Sequence, residues 1–150
     1  MSGLKKLTAT CNRIVKSKAI GYIFHIDNDI QEKLLKKIKT ANAIIFNCRL
    51  GKTRAEIFRF LEKELEMEHD HAMDKRLARL KNKISESERF IVFYNAETLT
   101  DMDYKIIENF NEVGAPIIFI STAKRYYEIM QMTKTYQTKA IIEHDFKELN

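Results

Sequence analysis

Phe90-Ile91-Val92-Phe93-Tyr94 and Ile117-Ile118-Phe119-Ile120 are unbroken apolar runs of strand length. A run without polar alternation suits a strand covered on both faces, the situation of parallel sheets flanked by helices. Ala43-Ile44-Ile45-Phe46-Asn47 is a third such segment. Between the runs the apolar residues recur at helical spacing: Ile57, Leu61 and Leu65 with Phe58, then Met73, Leu77, Leu80 and Ile84, then Met102, Ile106, Phe110 and Val113. Strands alternating with helices predict an α/β domain with a small, mainly parallel sheet, right-handed crossovers and helices on both faces. One proline and four glycines in 150 residues leave few breakers, so the domain is expected to be helix-rich with short connections.

The flanking segments follow the same logic. Residues 1–19 are basic and weakly patterned, a helix or an ordered arm, and Ile20 to Ile26 reads as a short extended segment. Asp27 or Asn28 can cap a helix carrying Ile30, Leu34 and Ile38, with Lys33, Lys36, Lys37 and Lys39 on its other side. Thr100 can cap the helix that Gly114 stops. The stretch from Glu62 to Glu86 reads as charged and helical throughout, a further helix is expected to about Met132, and Ala140-Ile141-Ile142 reads as a last strand. A single domain over residues 1–150 is expected, with no repeat and no second unit.

No apolar run approaches the ~20 residues of a membrane span. The first residues lack the apolar stretch of a signal peptide, and Cys11 and Cys48 have no C-x-x-C spacing. A cytoplasmic protein with reduced thiols and no membrane partner is the expectation. The net charge of +5 points weakly to a polyanionic partner.

The segment with the most chemistry is Phe46-Asn47-Cys48-Arg49-Leu50-Gly51-Lys52-Thr53, between an apolar strand and an amphipathic helix. A phosphate loop reads G-x-x-x-x-G-K-[ST] in that context. Gly51, Lys52 and Thr53 stand where the backbone must turn closely, where the terminal phosphates need a cation and where Mg²⁺ needs a hydroxyl. Phe46 occupies the position of the first glycine. Nucleotide hydrolysis also calls for a carboxylate at the end of a neighbouring strand, and there the chain reads Tyr94-Asn95, with Glu97 two residues on. Glu97 is expected to be a solvent-facing residue before a helix. Ser121 or Thr122, after the Ile117–Ile120 run, could meet a terminal phosphate or cap the next helix.

With Gly-Lys-Thr, Phe-Ile-Val-Phe-Tyr-Asn-Ala-Glu-Thr-Leu and Gly-Ala-Pro-Ile-Ile-Phe-Ile-Ser-Thr-Ala in this order, the chain resembles the AAA+ ATPase core, in particular the phage Mu B type of transposition ATPase that selects target DNA. The resemblance spans roughly Tyr22 to Met130. It implies a three-layer P-loop NTPase-like fold, ATP with Mg²⁺ as a cofactor either weakly held or lost, and nucleotide contacts from Gly51, Lys52, Thr53 and Ser121. It also implies a role near DNA transposition, with an origin in a prophage and with a transposase or a second copy as partner. The chain departs from that pattern at Phe46, Tyr94 and Asn95, lacks a strand expected before the second motif, and has no helical lid domain. No catalytic residue is assigned.

Non-specific duplex DNA binding is expected of Lys75, Arg76, Arg79 and Lys83, which cluster on one helix. Glu68-His69-Asp70-His71 has the composition of a metal cluster, but i,i+2 positions diverge on a helix, so it reads as solvated surface and no metal site is assigned. Cys48 could act as a nucleophile only beside a base. Three readings stay open: a non-hydrolysing DNA-associated accessory protein, a slow ATPase using Glu97, and a protein-interaction module that binds neither nucleotide nor DNA.

Overall fold

A computed structural model describes residues 3–50, 54–68, 72–123 and 141–149. Helix α1 (Gly3–Ser17) leads directly into strand β1 (Ile20–Phe24). Then follow α2 (Asn28–Ile38), β2 (Ala43–Asn47), α3 (Arg54–Glu64), α4 (Met73–Ser87), β3 (Phe90–Tyr94), α5 (Asp101–Glu108), β4 (Ile117–Ile120), β5 (Ile141–Asp145) and a last short helix, α6 (Phe146–Leu149). The five strands form one sheet in the order β2-β3-β4-β1-β5, and every pair is parallel. The chain is an α/β three-layer domain.

Alternation along each strand sends side chains to two cores. On one side Tyr22, Phe46, Phe93 and Phe119 meet Ile57, Phe58 and Leu61 of α3, Leu80 and Ile84 of α4, and Tyr104 and Ile107 of α5. On the other, Ile23, Val92, Ile118 and Ile120 meet Leu7, Cys11 and Ile14 of α1 and Leu34 and Ile38 of α2. Two aromatic rings, Tyr22 and Phe93, sandwich Phe119 at centroid distances of 5.2 and 5.7 Å. The close approach of α1 to β1 depends on Gly21. A Cβ there would sit 2.0 Å from Cδ1 of Ile14.

The short extended segment read at Ile20 to Ile26 is strand β1, Ile20–Phe24, wholly buried between β4 and β5. Two expectations need correction. The charged stretch after Glu62 is not helical throughout: α3 ends at Glu64, and Glu66 turns the chain with φ 55° before α4 begins at Met73, where the apolar spacing of a separate helix starts. On α5 the buried residues are Asp103, Tyr104 and Ile107, while Met102 is exposed. Asp103 and Thr100 form a reciprocal capping box, which orients the first turn. The helix expected to run to about Met132 lies outside the described residues. No described helix is long and apolar enough to cross a membrane.

Candidate functional site

In an open parallel sheet the ligand crevice lies beyond the carboxyl ends of the strands, where neighbouring strands send the chain in opposite directions. Here β1 and β4 are neighbours. From β1 the chain goes to the far edge strand β2, and from β4 to the opposite edge strand β5. The crevice is therefore bounded by His25 to Asn28 after β1, by Ser121 and Thr122 after β4, and by the end of β5. An open cleft of about 580 Å³ lies there, lined by His25, Asp27, Asn28, Thr122, Phe146 and Lys147.

The polar groups of this crevice are largely committed to one another. Asp27 caps α2 by accepting a hydrogen bond from the Ile30 N–H at 2.9 Å. Asp29 adds a second carboxylate in the first turn. A helix N-terminus ordinarily attracts an anion; this one carries its own. His25, held at φ 60°, places Nδ1 2.8 Å from Oδ1 of Asp145, tying β1 to β5. The same oxygen accepts the Lys147 N–H at 3.1 Å.

At the end of β3 a chain of neutral amides takes the place of carboxylates. Gln31 of α2 is buried; its Nε2 donates to the Ile26 carbonyl at 2.9 Å and its Oε1 accepts the Asn95 N–H at 3.2 Å. Asn95, in the left-handed region, donates from Nδ2 to Oδ1 of Asn47 at 2.9 Å, and its own Oδ1 is buried without a hydrogen-bond partner. Glu97 does not face solvent as expected. Its Oε1 accepts both the N–H and the hydroxyl of Thr122, each at 2.8 Å, so it clasps the loop after β4 onto the loop after β3. Ser121 is fully buried, and its hydroxyl turns back onto Ala123 of its own loop.

Gly51, Lys52 and Thr53 lie outside the described residues, as do His69, Asp70 and His71. The strand that leads to Gly51 is the edge strand β2, three strand spacings from β1, or about 14 Å at ~4.8 Å each. Phe46 lies inside that strand with its ring in the core, 4.9 Å from Phe60 and 5.8 Å from Phe93 between centroids. Cys48 is also buried. Its N–H donates to the Tyr94 carbonyl and its carbonyl accepts the Thr98 hydroxyl. Burial, with the carboxylates of Glu97 and Asp103 nearby, drives its thiol pKa far above the ordinary range, so it is no nucleophile.

Of the four cations assigned to nucleic acid, Lys75, Arg79 and Lys83 are exposed on α4. Arg76 is not available: it is 5 % exposed, bidentate to the equally buried Glu62 at 2.7 and 3.2 Å, and lies over the Phe58 ring. Arg76 precedes Leu80 and Ile84 at intervals of four, which places it on the apolar stripe, a signal the sequence did carry. Arg79 and Lys83 share their surface with Glu66, Glu68 and Glu86, so the field there is mixed. Among the described residues no group of three or more His, Cys, Asp or Glu side chains could hold a metal ion. No family model matches the chain, and no curated protein matches it.

Proposed function

We propose that this chain is a non-hydrolysing P-loop-type domain, similar to the transposition ATPases, that acts in the cytoplasm as a DNA-associated accessory or regulatory protein. The observation that carries the reading is the amide chain Gln31–Asn95–Asn47 at the end of β3. An amide neither anchors a Mg²⁺ water shell as an anion nor accepts a proton from water. The described residues of the crevice do not fit Mg·ATP: Asp27 and Asp29 hold the α2 N-terminus, and Glu97 is spent on Thr122. Lys52 and Thr53 remain the groups through which a nucleotide would be held weakly if at all, with a transposase or a second copy as the protein partner.

Phosphate release from ATP, measured with and without duplex DNA, is expected to equal that of Lys52→Ala. Steady turnover that disappears in Lys52→Ala overturns the reading. A melting temperature unchanged by millimolar ATP·Mg²⁺ is expected as well, because a ligand at 100 times its Kd would add about 2.7 kcal/mol.

One observation favours a protein-interaction module instead. Leu50 and Met102, 82 % and 58 % exposed, follow the adjacent strands β2 and β3 at the same end of the sheet. A chain that leaves both ATP and DNA unbound but self-associates, with Leu50→Ser abolishing association, supports that second reading.

A further inference from the structure

The positive charge of this chain is one-sided. Residues 3–39 hold Lys5, Lys6, Arg13, Lys16, Lys18, Lys33, Lys36, Lys37 and Lys39 against only Asp27, Asp29 and Glu32, an excess of +6 where the whole chain carries +5. The rest of the molecule sums to −1: α4 carries Lys75, Arg76, Arg79, Lys81 and Lys83 against Asp74 and Glu86, but Arg76 is paired with Glu62 and Lys81 with Glu112. All nine cations are exposed.

The topology gathers them further. Helix α1 ends at Ser17 and β1 starts at Ile20, so the C-terminus of α1 stands at the amino end of the sheet. Helix α2 leaves the carboxyl end of β1 and returns to the start of β2, which runs in the same direction as β1, so it too ends at the amino end. The two helices pack side by side on one sheet face and run parallel. Arg13, Lys16 and Lys18 thus stand beside Lys33, Lys36, Lys37 and Lys39. The acids Asp27 and Asp29 lie at the opposite end of α2, and Glu32 sits mid-helix, one turn before Lys36. The loops that enter β2 and β4 at this amino end, residues 39–42 and 114–116, contain no acid, while the entry to β3 brings one acid, Glu88, followed by Arg89. Glu64 borders the groove beside Lys36 and Lys39, with Arg89 3.8 Å away. Cations in a last helical turn complement the helix dipole, but that effect is confined to the last turn, and Arg13 and Lys33 lie outside it.

We propose that this α1/α2 surface, rather than α4, is a docking face for the phosphate backbone of duplex nucleic acid. It rests on the DNA-associated part of the function proposed above and gives it a location. Neither α1 nor α2 contains an aromatic residue, so the face has no platform on which unpaired bases stack. Their apolar sides are buried in the core, and the exposed Leu50 and Met102 follow β2 and β3 at the other end, so nothing here inserts into a lipid surface. What remains is a backbone reader with no sequence preference.

Anisotropy of a labelled 20-base-pair duplex, titrated with the full chain at 50 and 200 mM salt, tests the face. The pair Lys33→Gln/Lys37→Gln is expected to weaken binding about 10-fold at the lower salt and to reduce the log–log salt slope by about 1.8, at ~0.9 per phosphate contact. Lys16→Gln/Lys36→Gln should do the same, and Lys75→Gln/Lys83→Gln should stay within about 2-fold of the parent. Melting curves check that each pair is folded. A larger loss in the α4 pair overturns the location, while DNA association survives. No duplex binding by the parent chain, tighter binding to single-stranded oligo-dT, or binding to phosphatidylserine vesicles in place of duplex overturns the face itself. Phosphate release from ATP in the same preparations reports separately on the non-hydrolysing reading.

Discussion

Removing the Arg76 guanidinium should damage the fold, and removing its partner as well should largely repair it. Both side chains of the pair are 5 % exposed, and the two hydrogen bonds of 2.7 and 3.2 Å join α4 to α3 across the core that holds Phe58. In Arg76→Met the Glu62 carboxylate would lose its cation while still buried. Breaking a buried pair in this way costs about 3–5 kcal/mol, whereas replacing both members by apolar groups of similar volume is close to neutral. For a domain of this size 1 kcal/mol moves the melting temperature by roughly 2–4 °C. Arg76→Met should therefore melt about 10–15 °C below the parent, and Glu62→Met/Arg76→Met should recover most of that loss. Circular dichroism melts at pH 7, with urea titrations for the free energies, give the two numbers. A single variant that melts within 2 °C of the parent would refute the reasoning, since Arg76 would then be a solvated cation and again a candidate for nucleic acid.

Gly21→Ala should destabilise by about 1–3 kcal/mol, because its Cβ would fall 2.0 and 2.7 Å from Cδ1 and Cγ1 of the fully buried Ile14; adding Ile14→Val should restore part of the loss in the same urea titration. Cys11 and Cys48 are both buried, with the Cys11 thiol pushed up to about 12 by burial, so neither should react with Ellman's reagent at pH 8 until the chain is unfolded in guanidinium, and rapid labelling of the native protein would contradict their burial. His144 predicts an acid-side loss of stability. Thr10 spends its one hydroxyl proton on the Lys6 carbonyl, so His144 Nδ1–H donates to Thr10 and Nε2 is left as a buried acceptor without a partner. Burial, with Arg13 and Lys6 near and only Asp145 opposing, lowers the pKa, so stability is complete above about 6.5 and falls as the pH drops below it toward the lowered folded value. His144→Gln should flatten that part of a stability–pH curve, and an unchanged slope would count against it.

The sequence carried the element types further than it carried their neighbours. Three apolar runs declared β2, β3 and β4, and the stripes of α3 and of the second half of α4 are buried as their spacing required. Strand order was not legible, because it depends on pairings such as Ile20 with Ile117 and with Ile141, which no local pattern encodes. That order moves attention from the end of β2 to the end of β1, where His25 meets a carboxylate 120 residues away. Glu97 was misjudged for a related reason: its partner, Thr122, belongs to another loop. A short-range reading can find a charged residue but not the buried donor that will claim it.

Strand β1, interior to the sheet, is the first to be made, yet both of its neighbours come late in the chain. Its two partners, β4 and β5, are paired through residues 97 and 121 positions downstream of Ile20. At roughly 5–20 residues per second on the ribosome, β1 would wait on the order of 5–25 s for a neighbour. During that interval β2 and β3 can already pair with each other, since Ala43 and Phe90 need nothing synthesised later. The strand would meanwhile be screened on one face by α1 and α2, with Ile20, Tyr22 and Phe24 facing the side whose helices are made later. Long-range parallel pairing of this kind folds slowly and exposes sheet edges on the way. A nascent chain arrested before Ile117 would hold β1 with neither partner, its backbone donors and acceptors unpaired along both edges.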